Sequence, residues 1–477
     1  TFSVPSVSAP TITSIDIPAG NYGSGDTVTV TVTFSELVNV NLNGGTMTLL
    51  LNIGGSEVLA EYASGSGTTA LTFNYTTSGV IDNDGITVVA DSINQNAATI
   101  RNAANEDAEL THAEQTFTDA RVDASFDLTK VTALWLDGTD IDNDGDTTDQ
   151  QAGDSVSEWK DKSGNNHHVS ISADTSKPTL ITDNALTNGN VSLQFDGGDR
   201  LRTTEDIVSS TSYTYLAVAR GTVGTVLSTR DGGSEGFATR VNTPGSGYES
   251  YVRADGTWPT VNIGVRQTSL SIMGEKLVSG ESRTTYFDGE STAQTAVSNI
   301  VLGTGFNVGA LANGDQAFNG VISEVLVFNR ALSDSETMIT QNYLSSKWNT
   351  TLASSVDYYA GDTTGNGDYD YNVTGILKLS DSNVASGLQG ALTITNVDYL
   401  KDTGDAVFVG NKGVGSSTAD LPSGVNVRSN TVWYLDARDS ANLGGKINLG
   451  FDLAKLNLSS IGTSSDYVLL WRSNQTG

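Results

Sequence analysis

The residues best spaced for chemistry lie at 137–149, Asp137-Gly-Thr-Asp-Ile-Asp-Asn-Asp-Gly-Asp-Thr-Thr-Asp149. Six carboxylates fall within thirteen residues, with no Lys or Arg among them. In water such a loop repels itself, and closing it is costly. A hard divalent cation removes that cost by accepting oxygen ligands from alternate positions. Asp140, Asp142, Asp144 and Gly145 follow the D-x-D-x-D-G spacing of a calcium loop. Asp146 then offers its backbone carbonyl, and the twelfth position is Gln151, where a bidentate Glu normally stands. The register is therefore open, with Asp149 or Asp137 as substitute ligands. No helical pattern flanks the loop, so the spacing predicts calcium held between strands, against the alternative of a solvated acidic turn. A weaker copy at 362–370 offers Asp362, Asn366, Asp368 and Asp370, with a polar Gly-rich turn as its alternative. Asp82-Asn-Asp-Gly85 reads as a turn.

A second cluster is aromatic. Tyr248-Glu-Ser-Tyr-Val-Arg-Ala-Asp-Gly-Thr-Trp258 brings Tyr251, Arg253, Asp255 and Trp258 into one Gly-bounded stretch. An aromatic platform beside Arg and Asp hydrogen-bonding groups suits a sugar. The same residues also suit the two faces of one strand, with Trp258 capping a turn. Catalytic signals are weaker. Nucleophilic catalysis needs an activated Ser, Cys or Thr beside a base, and the three His residues, His112, His167 and His168, read as surface groups. No phosphate-binding G-x-x-x-x-G-K-[ST] pattern occurs. Glu324 stands alone on its strand. With 55 acidic residues, carboxylate pairs are uninformative by count. The expectation is a protein that is not an enzyme.

Composition narrows the field further. The 477 residues carry 25 Lys+Arg against 55 Asp+Glu, a formal charge of −30. That balance argues against nucleic acid and against anionic membrane surfaces. The absence of Cys removes disulfides, thiolate metal sites and cysteine nucleophiles. No apolar run approaches the length of a membrane-spanning helix, so no membrane insertion is expected.

The elements that must position these residues are nearly all strands. Thr27-Val-Thr-Val-Thr-Val-Thr-Phe34 alternates with period two, Val and Phe inward and Thr outward. Leu71–Tyr75, Val191–Phe195, Tyr213–Val218, Ala391–Thr395, Val432–Leu435, Lys446–Phe451 and Tyr467–Trp471 read similarly. Between them Gly, Asn, Asp and Ser clusters supply turn conformations. Val321–Phe328 is apolar on both faces apart from Ser323 and Glu324, which suits a strand covered on both sides. One helix follows, announced by a Ser333/Glu336 capping box, with Ile339, Tyr343 and Trp348 expected to pack onto the sandwich. The expected fold is all-β, three consecutive β-sandwiches: an arm at 1–10, then 11–124, 125–351 and 352–477. The last ends on a central-looking strand, a pattern that favours a sandwich cut from something longer.

Several stretches resemble known families. Pro10–Ile15, Gly25–Val30, Thr33–Glu36, Leu51–Gly55, Tyr62–Gly67, Asn83–Ile86 and Ile100–Asn105 are similar to the immunoglobulin-like modules of large bacterial surface proteins. Leu193-Gln-Phe-Asp-Gly197, Tyr286-Phe-Asp-Gly289 and Phe318–Ser333 resemble a concanavalin-A-like, laminin-G-like jelly roll. Gly361-Asp362, Gly367–Asp370 and Trp433–Asp436 are similar to β-rich modules that follow such a jelly roll in secreted bacterial proteins. Jelly-roll glycosidases carry acids at alternate positions in an E-x-D-x-x-E run, which is absent here. The resemblances imply an extracellular bacterial surface or secreted protein, and the spacing of its acidic loops adds calcium as the expected cofactor. Its expected role is a calcium-stiffened adhesin segment or surface-filament subunit that self-associates. The alternatives are a glycan-binding adhesin module and a non-catalytic targeting module of a polysaccharide-degrading enzyme. Fold alone does not choose among them.

Overall fold

The computed structural model describes residues 8–458 and 469, apart from 24–25, 44, 78–80, 83–84, 124–125, 147–148, 230–234, 243–246, 266, 381–382, 397, 414–415, 418–427, 430 and 457. Most of the expected arm at 1–10 and nearly all of the strand expected at Tyr467–Trp471 lie outside the described residues. The fold is all-β, built of sandwich sheets. The chain forms two compact units, Thr1–Phe126 and Asp127–Gly477.

In the first unit the alternation seen in the sequence becomes a strand, Thr27–Asn41, whose Val28, Val30, Val32, Phe34 and Val38 are buried. Burying each such side chain contributes about 1.5–3 kcal/mol, so the pattern fixes which face turns inward. This strand pairs antiparallel with Ile12–Asp16 on one side and Thr68–Thr76 on the other. The sheet continues through Ser56–Ser64, Thr48–Ile53, Ile86–Asn94 and Gln115–Phe117. Beyond a register shift, the same long strand pairs Asn39–Asn41 with Thr99–Arg101. A small second sheet joins Gly20–Gly23 in parallel to Ala120–Asp123, and Ile81–Asp82 to the latter in antiparallel.

The second unit contains the jelly roll. Its strand Tyr213–Ser228 belongs to both sheets. Residues 213–219 pair with Ser271–Val278, and 214–223 with Asn319–Phe328, in one sheet. Residues 224–228 pair with Phe237–Val241 and Phe306–Val308 in the other. The crossing needs glycine: Gly224 has φ +98°, and a Cβ there would stand 2.1 Å from the Ala317 carbonyl oxygen. Between the sheets lies one large core, including Leu136, Phe195, Tyr215, Leu227, Phe237 and Val325.

The helix Asp334–Trp348 begins at the expected capping box. Ser333 Oγ accepts from the Glu336 amide, and the Glu336 carboxylate accepts from the Ser333 amide. Arg330 grips that carboxylate with two bonds of 2.8 Å. Ile339, Tyr343 and Trp348 are buried, and so is the stretch Val321–Phe328 on both faces, as its composition predicts. Residues 352–477 share this compact unit with the jelly roll. They hold a small core of Ile376, Leu392, Ile394, Val407 and Val409, and set Tyr371–Ser380 and Asn383–Gln389 against the helix.

Candidate functional site

Glu324, the lone carboxylate on its strand, is partnered by groups from other elements. Trp135 Nε1 and the Tyr343 hydroxyl donate to its Oε1 at 2.8 Å, and Trp348 Nε1 donates to Oε2 at 2.6 Å. Lys347 Nζ lies 3.0 Å from Glu324 Oε2 and 2.6 Å from Asp137 Oδ1. Lys162 Nζ then joins Asp137 Oδ2 at 2.9 Å to Asp140 Oδ2 at 3.3 Å. Charge therefore alternates from the helix to the acidic loop, Glu324, Lys347, Asp137, Lys162, Asp140. Burial alone would raise the Asp137 carboxyl, but Lys162 and Lys347 hold it far below the usual carboxylate range. Burial opposes the charge on Lys162, and Asp137 and Asp140 more than offset it, so its ammonium is raised.

This corrects two points of the sequence reading. The loop does have compensating cations, supplied from positions distant in sequence. Asp137 is not available as a substitute ligand, because ammonium groups engage both of its oxygens and Thr139 also donates to Oδ1. The string holds three carboxylates and two ammoniums, which leaves one negative charge, and its loop end is Asp140.

At that end the candidate ligand oxygens of Asp140, Asp142 and Asp144 all lie within 4.8 Å of one another. Asp140 Oδ1 accepts from the amides of Asp144 at 3.1 Å and Gly145 at 3.4 Å. Gly145 sits at the sixth loop position with φ +84°, the sharp turn a calcium loop requires there. Asp142 Oδ1 is buried and accepts no hydrogen bond. Asp146, Asp149 and Gln151 are exposed. The Asp149 carboxyl is raised by desolvation and by Asp142, Asp144 and Asp146, which places it beside them. An all-oxygen set with one buried, unpaired carboxylate oxygen fits calcium rather than a softer metal.

The second loop is arranged differently. Asp362 Oδ2 accepts from Ser346 Oγ at 3.0 Å, and Asp370 Oδ2 accepts from Asn188 Nδ2 at 3.0 Å. The Asn366 amide donates to the Ala360 carbonyl at 2.7 Å, and Asp368 is exposed with φ +55°. Among the described residues, three carboxylates gather at metal-binding distance in the first loop alone. Burial, Asp357 and Asp370 push Asp362 up to about 6. The His residues are structural as well. His168 Nδ1 accepts from the Asp161 amide at 3.0 Å, and His167 Nδ1 lies 3.0 Å from the Ala133 carbonyl oxygen. Both are half-buried rather than surface groups.

The aromatic cluster is assembled as a rim. Tyr251 is buried, and its ring meets the edge of Trp258 at 5.6 Å and 79°. Arg253 stands 5.6 Å over the Trp258 ring, and Arg240 stands 5.1 Å over Tyr251. Asp255 accepts from Asn299 Nδ2 at 2.6 Å. Trp258, Arg253 and Asp255 are the accessible members, and Tyr251 packs beneath Trp258.

Sequence reasoning missed a cleft on the same sheet. Leu201, Val308 and Leu227 point into the core, so their neighbours Arg202, Asn307 and Ser228, aligned across three strands, share the opposite face. There a cavity of about 350 Å³ is lined by Arg202, Thr203, Thr204, Thr304, Gly305, Asn307, Ala312 and Asn313. Arg200 and Arg202 both donate to the Ala312 carbonyl, at 3.1 and 3.3 Å, and fix one wall. Asp206 Oδ1 accepts from the Gly305 amide at 3.0 Å and fixes another. The described lining residues offer hydroxyls, amides and one guanidinium, and no carboxylate. Such a lining can hydrogen-bond a neutral polyhydroxyl compound but lacks the paired carboxylates of glycoside hydrolysis. Nothing in the spacing of these residues along the sequence signals it.

Residues 195–337 match a family profile described as the concanavalin A-like lectin/glucanases superfamily. The jelly roll is thus a concanavalin-A-like, laminin-G-like domain. No curated protein matches the chain. Among solved structures, domain 4 of AbnA, a GH43 extracellular arabinanase from Geobacillus stearothermophilus solved with arabinotriose, is similar at 14% identity and a TM-score of 0.29, covering 39% of this chain and 97% of that one. The binding domain of Paraclostridial Mosquitocidal Protein 1 is similar at 11% identity and a TM-score of 0.34, covering 68% and 76%. The receptor binding domain of botulinum neurotoxin type G is similar at 12% and 0.33, covering 65% and 81%.

Proposed function

We propose that this chain is a non-enzymatic, extracellular glycan-binding protein whose jelly roll takes a sugar in the Arg202 cleft. The observation that carries the reading is the lining of that cleft, hydroxyl and amide groups around one guanidinium on a sheet face. Its volume of about 350 Å³ falls within the range of small-ligand sites. A glycan array probed with the full chain and with Arg202→Ala tests it. Hits that disappear in the variant support the reading, and an array blank at high protein concentration overturns it.

A calcium-stiffened loop is the second part of the proposal, favoured by the gathered oxygens of Asp140, Asp142 and Asp144. Calcium there would neutralise the loop and, through Lys162 and Asp137, brace the helix that carries Lys347. A bacterial surface adhesin with an immunoglobulin-like first unit suits both parts. The filament reading is a further proposal, tested by electron microscopy of native material, where strictly monomeric particles would count against it.

A further inference from the structure

The Arg202 cleft is closed on one side. Directly opposed residues point to the same side of a sheet, so strand register continues its face from Ser228 to Ala238 and on to Tyr251. Ala238 and Tyr251 are both buried. Arg240 stands 5.1 Å over Tyr251 and donates to Gln316 Oε1 at 3.3 Å, which covers the sheet there. The cleft therefore stops short of Tyr251. It takes a short sugar or the end of a chain, not a chain laid along the sheet.

Its charge is the more specific feature. Arg200 and Arg202 donate to one acceptor, the Ala312 carbonyl oxygen, at 3.1 and 3.3 Å. Two like charges are thus held side by side, an arrangement that an anion relieves. Arg101, Arg240, Arg283 and Arg330 each have a carboxylate within 3.3 Å. Among the described residues neither Arg200 nor Arg202 has one, in a chain with 55 acidic residues against 25 basic. Arg200 Nε is also buried without an acceptor. The acids beside the cleft face other groups. Asp206 Oδ1 accepts from the Gly305 amide at 3.0 Å and Asp315 Oδ2 from Asn313 Nδ2 at 2.7 Å, while Glu205 Oε2 lies 3.7 Å from His167 Nε2.

We infer that the cleft takes a sugar acid, with the carboxylate of the ligand on Arg202. This rests on the glycan reading of the cleft and names its ligand class. Arg202 commits Nη1 to the Ala312 carbonyl, which leaves the edge formed by Nε and Nη2 without a partner among the described residues. That edge carries two parallel N–H groups, spaced for the two oxygens of a carboxylate. A neutral sugar offers the same edge only separate hydroxyls, and it leaves the paired positive charges as they are. Thr203, Thr204 and Thr304, which line the cleft, then meet the ring hydroxyls.

The test is isothermal titration of the full chain with glucuronate, galacturonate and mannuronate, as mono- and disaccharides, each beside its neutral hexose counterpart. The expected result is that at least one acid binds about tenfold or more tightly than its counterpart. That advantage should shrink as salt rises from about 0.05 to about 0.5 M, because screening weakens charge pairs at an exposed site. In Arg202→Gln the acid should fall to the affinity of the neutral sugar. Arg202→Lys keeps the charge but loses the fork, so it should retain only part of the preference. Thermal unfolding checks that both variants fold like the parent, and Arg202→Lys alone decides if Arg202→Gln does not. Neutral sugars bound as tightly as the acids, or an acid preference undiminished in the variants, overturns the inference and leaves the cleft reading intact. No binding to any acid also overturns the inference, and the cleft reading then stands or falls with the glycan array.

Discussion

Lys347 Nζ lies 2.6 Å from Asp137 Oδ1, and 210 positions of chain separate the two residues. The contact fastens the end of the helix to an early strand of the second unit, and through Lys162 it continues to Asp140. Three donors and an ammonium surround Glu324 at the other end. Replacing one member leaves a buried charge unpaired, which costs roughly 3–5 kcal/mol. Lys347→Met is expected to lose stability on that order in urea unfolding. A loss below about 1 kcal/mol would show that the string is not a structural clamp.

Calcium should act at the loop end of the same string. Calcium at about a hundredfold its dissociation constant should add about 2.7 kcal/mol of stability, read as a rise in melting temperature that EDTA reverses. Asp142→Asn should abolish most of that rise, because Asp142 supplies the unpaired buried oxygen. Melting that ignores both calcium and EDTA would remove the calcium proposal.

Stability should respond to pH in opposite senses at two carboxyls. Asp137 is held low by Lys162 and Lys347. Its contribution is complete above the unfolded value of about 3.9 and is lost only as pH falls below that toward its folded value. Asp288 is raised to about 6, chiefly by burial. Folding takes up a proton there, so this group lowers stability as pH rises from about 4 to about 6. Asp288→Asn keeps an acceptor for the Ile272 amide and tolerates the left-handed φ of +47°. It should flatten that slope and gain on the order of 1 kcal/mol at neutral pH, after allowance for partial exposure. Denaturation curves across pH 4–7 measure this.

Arg283 and Glu275 offer a double-mutant cycle. Arg283→Met strands a fully buried carboxylate and should cost about 3–5 kcal/mol. Adding Glu275→Gln should recover most of that loss, since a neutral amide replaces the unpaired charge. Additive losses would contradict the pairing. Chemical denaturation of the three variants is sufficient.

Period-two alternation makes Thr27–Phe34 legible as a strand, which the structure extends to Asn41, because burial of alternate residues is a local property of the chain. The capping box at Ser333 and Glu336 was legible for the same reason, as was the D-x-D-x-D-G loop. The partners of Glu324 were not: Trp135 is 189 residues away and donates only because two strands and a helix converge. Asp137 looked like a spare ligand since nothing nearby in sequence announces Lys162 or Lys347. The cleft was hidden more deeply, because Arg202, Asn307 and Asn313 come from segments a hundred positions apart and have no pattern in common. Tyr251 and Trp258 were found as neighbours in sequence, but only register shows that they share a face with Arg202.

A crystal structure of the full chain grown with an oligosaccharide that it binds tests the sugar site in the Arg202 cleft. The expected result is sugar density in the cleft, hydrogen-bonded to Arg202 and to the amides and hydroxyls around it. Sugar bound elsewhere on the molecule, with the cleft holding only water, would contradict it.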